Sequence, residues 1–301
     1  MEDKKKRFII IDSNAVLHRA YHALPPLATK KGEVVNAIYG FLLVFFKAIK
    51  ELHPDFIVAT FDMAAPTFRH KEFKEYKAKR PKAPDEFYLQ IPKVKEVLKS
   101  FNVPIFEKEG YEADDLIGAI SVQAAKKQAY PKVETIILSG DLDNLQLVNS
   151  NTKVYTLRKG VKDTILYDEE KVKERYQGLV PSQLTDYRGL KGDPSDNIPG
   201  VTGIGEKTAI ELLKEFKTLE NLYKELDDQS SSVAKLKART RELLLQYREQ
   251  AFFSKMLATI RIDAPIDIDL KKCEWGKYDK KEVESLLQNL EFYSLINRLP
   301  E

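Results

Sequence analysis

Phe8-Ile9-Ile10-Ile11-Asp12 is an apolar, β-branched run that ends on a carboxylate. Continuous apolar runs of this length read as strands buried on both faces, as in a parallel sheet. Two further runs have the same form. Phe56-Ile-Val-Ala-Thr-Phe61 leads into Asp62, and Thr135-Ile-Ile-Leu-Ser139 leads through Gly140 into Asp141 and Asp143. In an open α/β sheet ligands bind at the carboxyl ends of the strands. The three runs therefore predict one sheet edge that collects acids from distant parts of the chain.

Between these strands the apolar spacing turns helical. Helices are expected over Ala37–Ile49 and Ala113–Lys127, the latter with an acidic first turn and a basic last turn. Val103–Phe106 reads as a short strand, and Val154–Arg158 with Thr164–Tyr167 as a hairpin around Lys159-Gly160. Alternation of strand and helix up to about Arg175 argues for a mostly parallel sheet. The connection from Pro66 to Phe101 is long, charged and interrupted by Pro81, Pro84 and Pro92. It predicts two helices standing off the core, Phe68–Tyr76 and Glu86–Phe101. Beyond Tyr176 the pattern is helical, with helices expected from about Glu206 and over Leu219–Glu225, Val233–Gln246 and Lys281–Phe292. Asp263–Asp269 reads as an extended, solvated connector.

The 301 residues carry 43% hydrophobic and 32% charged side chains, the balance of a globular protein. One cysteine, Cys273, excludes an internal disulfide and a thiolate metal cage. No long apolar run marks a membrane span or a secretion signal, so a cytoplasmic address is expected. The net charge of +3 announces no polyanion partner, and the Lys4–Arg7 run reads as a solvated arm. The basic stretch from Arg69 to Arg80, with Phe73 and Tyr76 interleaved, fits single-stranded or frayed nucleic acid. It equally fits a solvated helix face laced with Lys–Glu pairs.

Nine acids form the candidate site: Asp12, Asp62, Glu112, Asp114, Asp115, Asp141, Asp143, Asp193 and Asp196. Singly, each has a local explanation as a helix cap or turn residue. Jointly they recur where one sheet edge would gather them. So many carboxylates exceed what one hard cation takes directly, and suit two Mg²⁺ or Mn²⁺ ions acting on a phosphodiester. His18, His22, His53 and His70 show no ligand spacing and read as ordinary residues. The loop Gly200-Val-Thr-Gly203-Ile-Gly205, followed by Lys207-Thr208, lacks P-loop spacing. It can hold duplex backbone through converging amides, or be a plain helix–helix turn.

Asp12, Phe61-Asp62, Phe68-Arg69, Tyr76-Lys77-Ala-Lys-Arg80, Gly110-Tyr-Glu-Ala-Asp-Asp115, Gly140-Asp-x-Asp143 and the run from Gly192 to Ala209 together resemble the 5′-nuclease domain of bacterial DNA polymerase I, grouped with the flap endonucleases. The resemblance runs from about residue 7 to the C-terminus. It implies a PIN-like α/β nuclease core over 1–177 with a helical arch at about 66–101. A helical DNA-binding module would follow over 178–301, with a helix–hairpin–helix at about 190–216 that can also bind K⁺.

The resemblance further implies roles. Asp12, Asp62, Glu112 and Asp114 would build one metal site, and Asp115, Asp141, Asp143, Asp193 and Asp196 would support or build a second. Lys77 and Arg80 would steady the scissile phosphate, with Tyr76 stacking nearby. Arg19 and Arg69 would contact the 5′ strand, and Gly200, Gly203, Gly205, Lys207 and Thr208 the duplex. Expected substrates are DNA with 5′ flaps, nicks or RNA-primed 5′ ends in primer removal and repair, with a polymerase domain on the same or a separate chain. Ser13, Leu142 and Asn144 depart from the family pattern without removing a carboxylate. Rival readings are a catalytically silent DNA-binding module, an aspartyl-phosphate enzyme built on Asp12 and an RNA-directed PIN nuclease. The second of these would want an acid at position 14, where the chain has Asn.

Overall fold

A computed structural model describes residues 5–126, 133–161 and 163–300. Lys4 of the basic arm and Lys127, the expected end of its helix, lie outside them. The centre is a six-stranded sheet of β1 (Lys6–Asp12), β2 (Phe56–Thr60), β3 (Ile105–Phe106), β4 (Val133–Ser139), β5 (Thr152–Lys159) and β6 (Asp163–Tyr167), in the order β3-β2-β1-β4-β5-β6. All neighbours are parallel except β5 and β6, which form the expected antiparallel pair.

β1 lies between β2 and β4 and is covered on both faces, which is why its run is apolar without alternation. Ile9 and Ile11 pack towards the helix Asn36–Leu52, Phe8 and Ile10 towards the helix Ala113–Lys126. Fully burying an isoleucine contributes about 1.5–3 kcal/mol. Several in a row can hold a strand whose last residue is a buried carboxylate. From β1 the chain builds outward through β2 and β3, then returns to build β4, β5 and β6 on the other side. The reversal leaves a crevice between the ends of β1 and β4, the usual place for a ligand.

The connection from β2 to β3 departs from its expected form. Its first helix spans only Phe68–Glu72, and residues 74–80 fold as turns in which Lys77 takes a φ of 56°. Phe73 and Tyr76 pack there with Ile198 and Leu257 of the C-terminal half, and the Lys77 amide, which a continuing helix would bond to Phe73 O, donates instead to Asp196 O (2.9 Å). The second expected helix is divided into Asp85–Tyr88 and Ile91–Ser100. At the break the buried Gln90 accepts hydrogen bonds from Ala37 N (2.8 Å) and Ile38 N (3.2 Å). It thereby supplies the cap that Val35 cannot provide for the helix Asn36–Leu52.

The C-terminal half has its own apolar core, with Leu190, Leu213, Phe216, Tyr223 and Leu244 at its centre. Two of its helices, Leu184–Lys191 and Arg248–Ala258, were not apparent in the apolar spacing. The last forty residues, expected in this helical module, do not stay with it. Ile268, Leu270 and Cys273 enter the core beside Phe8 and Phe56, and Val283, Leu287 and Leu295 enter that beside Phe41 and Phe45. Trp275 N donates to Asp55 O (2.9 Å), fastening this return to the start of β2. The 263–269 stretch is therefore no free connector: Ala264 and Ile268 are buried. No helix among the described residues is long and apolar enough to cross a membrane.

Candidate metal centre

A pocket of about 670 Å³ opens at the crevice between β1 and β4. Asp12, Asp62, Glu112, Asp114, Asp141, Asp143 and Asp196 line it, together with Arg19, Arg69, Tyr76, Lys77, Arg80 and Arg188. The local and the collective readings of the acids both hold at several positions. Asp12 caps the helix Ser13–Ala23, one oxygen accepting from Ala15 N (3.1 Å), while the other accepts from Ser139 Oγ (2.6 Å). Asp62 accepts from Ala113 N (2.8 Å) at the start of the helix that carries Asp114, and Asp141 accepts from Asp143 N (2.9 Å). Capping fixes each carboxylate and leaves oxygen lone pairs free for a further partner.

The other acids are held by cations. Lys77 Nζ is 2.9 Å from Glu112 Oε2 and 3.9 Å from Asp196 Oδ2, and Arg80 pairs with Asp196 Oδ1. The Tyr76 hydroxyl lies 3.1 Å from Glu112 and 3.2 Å from Asp196, and can donate to one at a time. Arg188 bridges Asp143 (2.5 Å) and Asp193 (3.1 Å), joining the core to the helical half. By contrast, no ion pair among the described residues involves Asp12, Asp62, Asp114 or Asp141.

Some expected site residues stand elsewhere. Asp115 is fully buried and does not line the pocket; its oxygens accept from Arg69 Nη1 (2.8 Å) and Nη2 (2.9 Å). The remaining Arg69 donors go to Leu257 O, Thr259 O and Glu112, so this guanidinium has none left for a 5′ strand. Asp193 also lies outside the lining, engaged by Ser195 and Arg188. Tyr76 is 4% exposed, its ring packed against Ile198 and Leu257, and so offers no face for stacking in this conformation. Arg19 donates to Leu157 O (2.9 Å).

The glycine-rich loop lies apart from the pocket, before the helix Glu206–Phe216. Gly200 takes a φ of 60° against the backbone of Lys191 and Gly192, where a side chain would collide. Its N–H donates to Ser254 Oγ (2.9 Å). Gly203, Gly205 and Lys207 are exposed and Thr208 half-buried, on a helix start without a side-chain cap.

Burial pushes the Asp12 carboxyl up to about 7, with the charges of Asp62 and Asp141 adding to the rise and the Ser139 and Ala15 hydrogen bonds opposing it. Burial also raises Asp114 well above the usual range, followed by repulsion from Asp12 and Asp141. Asp143 is pushed up to about 7 by burial and by Asp141, even with Arg188 beside it. Such a set lacks positive charge. Its donors are all oxygen, which matches hard divalent ions and not zinc-type sites with sulfur or nitrogen ligands. The carboxylates share one pocket without closing into a cage: among the described residues, no three acid, histidine or cysteine side chains stand close enough to hold an ion as placed. Shared location, charge and donor chemistry fit divalent ions; a finished coordination shell is not what the side chains form.

Five lining or supporting residues were not foreseen. Arg188 carries a weak signal, a cation four residues before the Gly192-Asp193 turn, with Lys191 beside that turn. Ser139 and Asn144 look like strand-end and turn residues, and only the fold turns their polar atoms towards Asp12 and Asp114. His18 and His22, read as ordinary, stand on the pocket wall, with His18 packed 4.2 Å from the Phe87 ring.

Comparisons with known proteins agree with this geometry. Residues 7–177 match the model of the 5′-3′ exonuclease N-terminal resolvase-like domain, and residues 179–281 that of the 5′-3′ exonuclease C-terminal SAM fold. Fold and pocket thus define a metal-dependent nuclease with a resolvase-like core and a helical SAM-fold module. The 5′-3′ exonuclease of Aquifex aeolicus is 36% identical, over 98% of this chain and 95% of its own length. The chain belongs to the 5′-3′ exonuclease family.

DNA polymerase I of Bacillus subtilis is 41% identical over 99% of this chain, and the chain spans about a third (33%) of that relative's length. Among solved structures, the 5′-exonuclease of bacteriophage T5 with bound zinc superposes with a TM-score of 0.70 at 19% identity, covering 94% of this chain and 99% of its own. The catalytic core of Rad2 in complex with DNA gives 0.60 at 20% identity, with coverage of 98% and 93%. At these identities the two likenesses concern the fold.

Proposed function

We propose that this chain hydrolyses DNA phosphodiesters near 5′ ends and 5′ flaps, using two Mg²⁺ or Mn²⁺ ions held at the pocket. The observation that carries this reading is the group Asp12, Asp62, Asp114 and Asp141, which lines one pocket with no member in an ion pair among the described residues. Asp12, Asp62, Glu112 and Asp114 are the candidate holders of one ion, Asp141 and Asp143 of a second, with Asp196 beside them. Bound there, divalent ions supply an activated water and neutralise charge on the leaving oxygen.

The chain's own cations complete the arrangement. Lys77 and Arg80 sit on Glu112 and Asp196 at the pocket wall. A substrate phosphate entering the pocket offers both a competing anion, and exchanging carboxylate for phosphate would leave Lys77 and Arg80 on the scissile group while freeing the acids. The exposed Gly203–Lys207 hairpin is suited to hold the duplex beyond it, with K⁺ as a candidate ion at its carbonyls. The T5 5′-exonuclease with bound divalent metal ions and the Rad2 core in complex with DNA support the substrate class. The DNA polymerase I relatives support primer removal and repair beside a polymerase domain. The address proposed for this activity is the cytoplasm.

A DNA flap labelled at its 5′ end tests the reading. Short 5′ products are expected with Mg²⁺ and none with EDTA. Cleavage that persists in EDTA would end the metal assignment.

A further inference from the structure

Asn144 is fully buried in the short 3₁₀ turn Asp143–Leu147, beside the acids but not among them. Its Nδ2 donates to Asp114 Oδ1 (2.8 Å) and reaches Ser139 Oγ (3.4 Å). Ser139 Oγ gives its own proton to Asp12 Oδ2 (2.6 Å) and accepts from Asp141 N (2.9 Å). Two uncharged side chains therefore tie together three residues of the group that has no cation. The amide orientation follows from chemistry: turned over, its oxygen would face the Asp114 oxygen. With Nδ2 so placed, Asn144 Oδ1 is buried without a hydrogen-bond partner among the described residues. Burying an unsatisfied acceptor opposes folding, so stability alone gives no reason for an amide at this position.

We propose that Asn144 is a positioning residue which, with Ser139, fixes Asp114 relative to Asp12 and so raises the affinity of the pocket for divalent ions. The proposal rests on the metal reading above. A cation at position 144 would also orient Asp114, but it would cancel the charge that attracts the ion. An apolar residue would leave Asp114 free to turn. An amide orients without neutralising, as partners behind metal ligands do, and loss of such a partner typically lowers metal affinity about 10–100-fold.

The test is titration of the full chain with Mn²⁺ alone, followed by isothermal calorimetry, with thermal melts in EDTA alongside. Asn144→Leu is expected to weaken Mn²⁺ binding by about tenfold while melting no lower than the unsubstituted chain. Asn144→Ala, should the leucine not fit, is expected to show the same loss. In an Asp114→Asn background, Asn144→Leu is expected to change binding no further, because the two act through one contact. Affinity within twofold of the unsubstituted chain, or fully additive losses, overturns the proposal. Absence of Mn²⁺ binding in the unsubstituted chain overturns the metal reading, and this proposal with it.

Discussion

Two groups of acids at the pocket solve the same electrostatic problem differently. Asp12, Asp62, Asp114 and Asp141 are fixed by backbone amides, a serine and an asparagine, and among the described residues none forms an ion pair with a lysine or arginine. Glu112, Asp143 and Asp196, with Asp193 just outside the lining, are gripped by Lys77, Arg80 and Arg188. Neutral donors orient a carboxylate without satisfying its charge; cations do both. The first group is thus poised for a positive ligand, and the second exchanges partners when one arrives. The three cations have different origins: Lys77 and Arg80 come from the β2–β3 connection, Arg188 from the helical half.

The contrast can be broken most directly by removing an unpaired acid. Asp141→Ala or Asp62→Ala should lower cleavage by at least about 10²–10³-fold, the scale of losing a preorganised electrostatic group, while binding of flap DNA by gel shift persists. Full activity in either variant would mean that these acids hold nothing. Arg188→Met should act on stability instead, because it leaves Asp143 and Asp193 facing each other. Breaking a fully buried pair costs about 3–5 kcal/mol. Arg188 is partly exposed, so about 2 kcal/mol, or a Tm lower by about 4–8 °C, is expected. Added Mn²⁺ should restore more of that loss than it adds to the unsubstituted chain, and an equal gain in both would blur the distinction between the two groups.

The smallest effect sharpens the picture of the first group. Asp12 has a folded-state value of about 7 against an ordinary value of 3.8. Its protonation therefore favours the folded state below about pH 4, and that contribution is lost as the pH rises through about 7. Melts in EDTA should show a falling Tm between about pH 4 and 7, with a shallower fall in Asp12→Asn and in the presence of Mn²⁺. A flat profile in EDTA would count against an unpaired cluster.

Much of this was legible in the sequence. The apolar runs ending at Asp12, Phe61 and Ser139 announce the strands because both faces of the sheet are covered, and strand ends are where a parallel sheet presents ligands. What failed to show depends on contacts between distant segments. The turn at 74–80 is held by Lys77 N on Asp196 O and by Phe73 and Tyr76 against Ile198 and Leu257, contacts with a distant segment that local spacing does not record. The Asp115–Arg69 pair lies inside the protein although Arg69 sits in a stretch that fits a solvated face and Asp115 reads as a helix-start or metal-site acid. Asn144 and Ser139 have unremarkable neighbours, and their importance lies in which carboxylates they meet. The 263–269 stretch alternates acids with apolar residues, and its polar half masked the buried half.

The return of the last forty residues has a practical consequence for anyone shortening this chain. Similarity to the SAM-fold domain ends at residue 281, yet Val283, Leu287 and Leu295 beyond it fill the space beside Phe41 and Phe45. A protein cut at 281 would keep every acid of the pocket and lose part of the apolar wall behind the sheet that aims them. The end of the family match is not the end of the folded core in this molecule.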